Sequence, residues 1–409
     1  MLNINLYNNE DLVMFTLRGD LSGCGVDELR CYYRVLSVLP TKKSVVLDVS
    51  GVTSVDTAGA ALLTEMAQKG AEIITGMPPA SHPLSEIVRN ISPAPKQAVQ
   101  RSKPERMPLN TILYATDLSP CSEAVLPYVC SLARQHSARV IIAHVIPPTF
   151  YYESPDEIGD RAPVAPEEFI RPQLDRVANS AVLKDLKHEV FVGYGEVWPV
   201  LSDFVEKRAI DLIAIGTHGR RGLKKLLWGS VAEEIFRLSE HPVLTVGPRA
   251  LVSAANEVSF RNVLIATDFS PESVHALEFA TCIIRQPQST LTLLHVLQTV
   301  KAEPSPARRM QVKLFTEFLK DLSSKVEAGV EPEYVVEIGS PSAVIIRVAE
   351  ERHSDLIVLG LGNNQAHLGP TPPHLFGATA YAVVSGAPCP VLTIRGSLAR
   401  KKNRAEVIR

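Results

Sequence analysis

DLIAIGTHGRRGLKKLLWGSVAEEI, residues 211–235, is the stretch that decides the fold. It begins with an apolar run, Leu212 to Ile215, and ends in an amphipathic run that opens at Val231. Between them lies the skeleton Gly216-x2-Gly219-x9-Gly229-Ser230, with Arg220, Arg221, Lys224 and Lys225 inside it. Glycines let backbone amides approach an anion closely, and a helix start adds free N–H groups and the positive end of a dipole. Strand, glycine loop and helix in that order make a phosphate cradle. Ser230 and Glu233 have the spacing of a capping box, which predicts a helix starting there with Val231, Ile235 and Leu238 as its buried stripe. A glycine-rich turn that only packs is the competing reading. The four cations also read as a solvated basic face, and the lone His218 as a solvated or packing residue.

Outward from this stretch the chain repeats itself. ILYATDLSP (112–120) recurs as VLIATDFSP (263–271), so Asp117 corresponds to Asp268, and His144-Val145 to His295-Val296, both 151 positions apart. DLIAIG (211–216) recurs as DLIVLG (355–360), and HPVLTVG (241–247) as CPVLTIR (389–395), with offsets of 144 and 148. A domain-sized period means two copies of one domain rather than a solenoid. In the first copy, strands are expected at 112–115, 139–144, 189–192, 211–215 and 243–246. Helices are expected from Ser119-Pro120, over 167–187, over 197–207 and over 230–238. Alternation of this kind predicts an open parallel α/β sheet, with ligands at the carboxyl ends of strands where strand order reverses.

The second copy departs from the first at the cradle. Asn363 stands where the second glycine should be, and Gly377 is followed by Ala378 instead of Ser or Thr. The loop carries prolines at 370, 372 and 373 and has no Arg or Lys. Weak phosphate binding or none is expected here, although Asp268 and Val296 persist.

ATDLSP, the AHV strand end at 143–145, the 216–235 loop and helix, and HPVLTVG together resemble a universal stress protein domain. That family has an open, Rossmann-like α/β sheet of the HUP type, and its ATP-binding branch carries G-x2-G-x9-G-[ST], met here in full. The resemblance implies that Asp117 and Val145 lie near adenine and Gly216 near the ribose. It implies phosphate contacts from Gly219, Gly229, Ser230 and Val231; Arg220 is added on charge alone. ATP or another adenine nucleotide is the expected ligand, and Mg2+ beside its phosphates is compatible with it. The family's last strand commonly mediates pairing. The two copies are therefore expected to pair as an internal pseudo-dimer, with a homodimer of the chain also open.

The first 91 residues read separately as alternating strands and helices. Strands are expected at 12–17, 45–49 and 71–75, and helices over 26–39, from Asp56-Thr57-Ala58-Gly59 onward, and over 84–91. VVLDVSGVTSVDTAGAALL (45–63) resembles the STAS family of the anti-sigma-factor-antagonist type, in which a Ser or Thr at a helix start can be phosphorylated. Thr57 occupies that position, where the dipole favours phosphate; it also reads as a plain helix cap. The resemblance implies a regulatory module that binds a partner protein. Residues 92–108, rich in proline and charge, read as a linker. The domain reading is thus a STAS-like domain (1–91), the linker, a nucleotide-binding stress-protein domain (109–249), a degenerate one (258–397) and a basic tail (398–409).

Bulk composition narrows the partners. Of 409 residues, 45% are apolar and 21% charged, and the net charge of -2 gives no basic field for nucleic acid. Six scattered cysteines without a C-x-x-C suggest reduced, mostly buried thiols and a cytoplasmic location. MLNINLYNNED has no signal-peptide pattern, and no run is apolar enough to cross a membrane. Walker A, G-x-G-x-x-G and metal-ligand patterns are absent from the sequence. No nucleophile–base pair is legible, so no catalytic residue is assigned. The leading expectation is a stress-type regulatory protein that senses an adenine nucleotide. Open beside it are a nucleotide-dependent enzyme (a slow ATP hydrolase or transferase) and a ligand-free structural scaffold.

Overall fold

The computed structural model describes residues 2–8, 12–38, 44–74, 109–148, 166–217, 229–250, 258, 260–283, 289–297, 306–323, 331–362 and 378–395. The expected helix at 84–91, the linker, the basic tail, His218 to Trp228 and the second copy's loop from Asn363 to Gly377 lie outside these residues. The chain divides into two compact units, residues 1–105 and 106–409.

Unit 1 has a four-stranded sheet in the order β1-β2-β3-β4. Its strands are β1 (Asn3–Asn8), β2 (Leu12–Leu21), β3 (Ser44–Val55) and β4 (Glu72–Ile74). β1 is antiparallel to β2, and the other pairs are parallel. Helices α1 (Cys24–Val38) and α2 (Thr57–Gln68) follow β2 and β3. The asparagine-rich β1 was not expected from the sequence, because Asn disfavours strands; its pairing with the β2 backbone makes it one. β3 also runs on through Ser50-Gly51, past the end expected at Val49. The pairing with β2 shifts register there, and a side chain on Gly51 would sit 2.7 Å from Arg18 Cγ. That glycine marks a bulge, not a terminus.

Unit 2 is built on one ten-stranded sheet, ordered β12-β11-β10-β13-β14-β9-β8-β5-β6-β7. The first copy supplies β5 (Thr111–Ala115), β6 (Arg139–Ile146), β7 (His188–Tyr194), β8 (Leu212–Gly216) and β9 (Val243–Val246). The second supplies β10 (Asn262–Ala266), β11 (Thr290–Leu297), β12 (Glu333–Ile338), β13 (Leu356–Leu361) and β14 (Val391–Arg395). Pairing within each copy is parallel. The copies join where β14 runs antiparallel to β9, with Leu392 opposite Leu244. The central strands are buried on both faces, as continuous apolar runs in a covered parallel sheet require.

First-copy helices are α3 (Pro120–Glu123), α4 (Leu126–His136), α5 (Pro166–Ala178), α6 (Val197–Lys207) and α7 (Ser230–Leu238). Second-copy helices are α8 (Pro271–Ile283), α9 (Pro306–Ser323), α10 (Pro341–Glu351) and α11 (Ala378–Gly386). α3 begins as expected, with Ser119 accepting from Ser122 N–H and Pro120 in the first turn. Pro127 has no N–H to continue the ladder, which is why a separate helix follows. The expected helix over 167–187 stops at Ala178. Asn179 Nδ2 bonds Asp175 O at 2.8 Å, and a short 3-10 turn, Ala181–Leu183, takes over. Ala232, Ile235 and Phe236 of α7 belong to the same buried cluster as Val383, Val384 and Ala387 of the second copy.

Candidate functional site

Strand order reverses beside β5, whose neighbours β8 and β6 lead away in opposite directions along the sheet. The carboxyl ends of these strands carry the candidate residues. Asp117 follows β5, Val145 lies near the end of β6, Gly216 ends β8, and Gly229, Ser230 and Val231 open α7. Gly219 and Arg220 fall outside the described residues.

Asp117 is fixed by a hydrogen-bond cage. Its Oδ1 accepts from Ser119 N–H at 3.0 Å. Thr116 Oγ1 accepts from Leu118 N–H at 3.0 Å and lies 2.9 Å from Ser122 Oγ. Leu118 is held at φ 62, a left-handed conformation that a leucine adopts only when its surroundings impose it. His144 Nδ1 contacts Thr116 O at 2.8 Å, tying β6 to the turn.

The second copy repeats this cage. Asp268 accepts from Ser270 N–H at 3.0 Å, Thr267 lies 2.8 Å from Ser273, Phe269 sits at φ 57, and His295 Nδ1 meets Thr267 O at 2.8 Å. His295 is 3% exposed and stacks on Phe315, with ring centroids 4.6 Å apart. Burial pushes its imidazole down to about 4.

Gly216 has a structural reason of its own. A side chain there would meet Cys121 O at 2.8 Å, where α3 crosses the end of β8. Gly360 of the second copy is tighter still, 2.3 Å from Ser273 N. Glycine at this position persists in both copies because the backbones touch, with or without a cradle behind it.

The start of α7 differs from the capping box read in the sequence. Gly229 holds the cap position with extended backbone, φ -62 and ψ 140, and Ser230 is the first helical residue. Ser230 is exposed and does not cap. Thr217, which the sequence pattern left as a variable position, closes the base of the loop. Its carbonyl accepts from Gly229 N–H at 2.8 Å, and its own N–H bonds Val246 O at 3.1 Å. Leucine (Leu361) takes this place in the second copy.

Two aspartates were also missed. Asp211 Oδ2 accepts from Asn110 and Thr111 N–H at 2.8 and 3.0 Å, and Asp355 does the same for Arg261 and Asn262 at 3.0 and 2.9 Å. Each ties off the first N–H groups of its copy's central strand. Their signal was available: the Asp of DLIAIG survives in DLIVLG.

In unit 1, Asp56 and not Thr57 caps α2, accepting from Gly59 N–H at 2.7 Å and from Gly23 N–H at 3.1 Å. These amides lower its carboxyl below the usual range. A side chain on Gly59 would sit 2.7 Å from Leu21 O, so the Asp-Thr-Ala-Gly turn has structural grounds for its first and last residues. Thr57 is exposed at the first helical position, with the cap role already taken.

The cysteines correct the sequence reading, since only Cys130 and Cys389 of the six are buried and Cys24 is exposed. Burial pushes Cys130 up to about 11 and Cys389 up to about 12, so both thiols stay protonated at neutral pH. Among the described residues no group of His, Cys, Asp and Glu could hold a metal ion, and no helix is long and apolar enough to cross a membrane.

Universal stress protein A homolog 1 of Coxiella burnetii is 34% identical over 142 residues, which is 33% of this chain and 94% of that protein. The crystal structure of a universal stress protein from Archaeoglobus fulgidus DSM 4304 covers 70% of this chain and 96% of its own, with 24% identity and a TM-score of 0.50. A solved universal stress protein in complex with cAMP is 23% identical, covering 34% of this chain and 95% of its own at a TM-score of 0.25. The STAS domain model matches residues 3–74, and the universal stress protein model matches residues 108–247 and 259–395, more than half of the chain. The chain therefore belongs to the universal stress protein family, as two such domains behind an N-terminal STAS domain.

Proposed function

We propose that the first stress-protein copy binds ATP or another adenine nucleotide, and that the STAS domain relays this state to a partner protein. The observation that carries the reading is the start of α7. Its first-turn N–H groups, which have no partner within the helix, open behind Gly229, and the Ser230 hydroxyl is exposed with no capping duty. Both follow a β8 whose carboxyl end lies where strand order reverses, the usual ligand position in such sheets. Ser230, Gly229 and Val231 would take the phosphates, with Gly219 and Arg220 completing the loop. Asp117 and Val145 would take the adenine and Gly216 would flank the ribose. With no carboxylate cluster among the described residues, any Mg2+ would arrive on the phosphates. Thr57, exposed at the first position of α2, is the proposed phosphate acceptor of the STAS domain.

Titration calorimetry of the full chain with ATP, ADP, AMP and cAMP tests the site. One molar equivalent is expected for the preferred nucleotide. Gly229→Val or Ser230→Ala should weaken it about tenfold, the loss of one or two charge-assisted hydrogen bonds. Ala378→Ser should create no second site. Absence of heat with every nucleotide, at protein concentrations well above micromolar, would leave the scaffold reading standing. Phosphopeptide mapping after incubation with cell extract tests Thr57.

A further inference from the structure

The two copies meet about a local two-fold axis, and one equivalent pair of contacts across it has been given different chemistry. β9 and β14 cross at Leu244 and Leu392. Gly247 and Arg395 follow them at equivalent positions, 148 residues apart. Each faces the carbonyl of a helix in the other copy. A side chain on Gly247 would sit 2.8 Å from Val384 O of α11. Arg395 Nη2 donates to Phe236 O of α7 at 3.0 Å. Phe236 and Val384 are themselves 148 residues apart, so this is one contact seen twice. On one side the backbones simply touch. On the other a guanidinium grips the last turn of the helix that begins at Gly229-Ser230.

That arginine is poorly placed for stability alone. Its Nε is buried without a hydrogen-bond partner among the described residues, and burial and the neighbouring Arg237 lower its pKa. What favours the cation is the carbonyl end of α7 and its dipole. We propose that Arg395 is a positioning residue for the nucleotide site, through which the degenerate copy sets the axial position of α7. This rests on the proposed nucleotide function. α7 has nine residues, and Phe236 lies about 9 Å along the axis from Ser230, at 1.5 Å per residue. A helix this short moves as a rod, so a grip on its last turn is felt at its first. The reverse grip exists too. Arg249 donates to Gly386 O at the end of α11 and pairs with Glu350, both at 2.6 Å. It holds a helix whose start is Ala378, without a hydroxyl. Arg249 is thus an arginine of the same interface acting on the copy without a cradle, which makes it the matched control.

The experiment is ATP titration calorimetry on the full chain, with thermal unfolding of every variant. Arg395→Gly reproduces the residue already tolerated at Gly247. It should weaken ATP binding roughly fivefold, within the range of coupling through packed elements. Arg395→Lys should recover most of that loss. Arg249→Ala should destabilise the chain comparably yet leave ATP affinity within about twofold, below the usual range of such coupling. Unchanged affinity in Arg395→Gly, or an equal loss in Arg249→Ala, would overturn the positioning role while leaving the nucleotide site intact. A wild-type chain that binds no ATP, ADP, AMP or cAMP would instead overturn the site, and this role with it.

Discussion

Gly216 has a structural reason to be glycine beside its place in the loop pattern. Its place in the loop pattern suggests a nucleotide contact, but its missing side chain is demanded by Cys121 O, 2.8 Å from where a Cβ would lie. Gly216→Ala should destabilise the nucleotide-free chain by about 1–3 kcal/mol, the usual cost of overpacking against backbone. Gly360→Ala, at 2.3 Å from Ser273 N, should cost at least as much. Urea unfolding without ligand checks both, and an unaffected Gly216→Ala would return that glycine to the nucleotide. His295 makes a second residue-level prediction. Burial lowers its folded-state pKa from 6.5 to about 4, so between those values the unfolded chain binds a proton that the folded one refuses. The contribution is therefore complete above pH 6.5, shrinks as pH falls, and is fully lost by pH 4. The gap corresponds to roughly 3 kcal/mol. His295→Phe removes the titrating group and should flatten the slope of stability against pH in this window, whatever it does to stability at pH 7. An unchanged slope would mean that the imidazole is already protonated when folded.

The two helix starts, α2 and α7, carry similar sequence signals and work differently. Asp56 spends its carboxylate on Gly59 and Gly23 N–H groups, whereas Ser230 sits one residue inside its helix and caps nothing. Asp56→Ala should lower the thermal midpoint of unit 1. Ser230→Ala should shift stability by less than about 0.5 kcal/mol, as for a surface change. The same Ser230→Ala variant should bind nucleotide more weakly, and a matching loss of stability would restore it as a cap. This is also where the limits of sequence reading lie. Apolar runs gave the central strands β5, β8 and β9 to within a residue, because strands buried on both faces leave little freedom in composition. The expected span 230–238 matches α7, but the capping residue was read one position late at Ser230 and in the cap reading of Thr57, since Ser, Thr and Asp at a cap and at the first helical position differ only in backbone torsion. β1 was invisible because its partner, not its composition, makes it a strand. Thr217, Asp211 and Asp355 act through a pair of backbone hydrogen bonds each, and hydrophobic periodicity carries no trace of those.

At the scale of the whole molecule, the division of labour predicts how the chain comes apart. The second copy keeps the Asp268 cage, the packing glycine and the strand ties. It lacks the cradle's glycine-serine pair, as Gly377-Ala378 records. What it supplies is half of a ten-stranded sheet and half of one buried cluster that runs from Leu201 and Phe236 to Val348 and Val384. Such a core should melt cooperatively, so calorimetry should resolve one transition for residues 106–409 and a separate one for unit 1. The seam is the place to test it. Leu244 and Leu392 face each other across β9 and β14, each 1% exposed. Leu392→Asp would bury a carboxylate without a counter-ion and should cost several kcal/mol. If the copies are one folding unit, that cost lands on both. Amide exchange should then rise as much in β5 and β8 of the first copy as in β10 and β13 of the second. Faster exchange confined to β10–β14, with β5 and β8 still protected, would mean that the copies fold independently and that their shared sheet joins two self-sufficient domains.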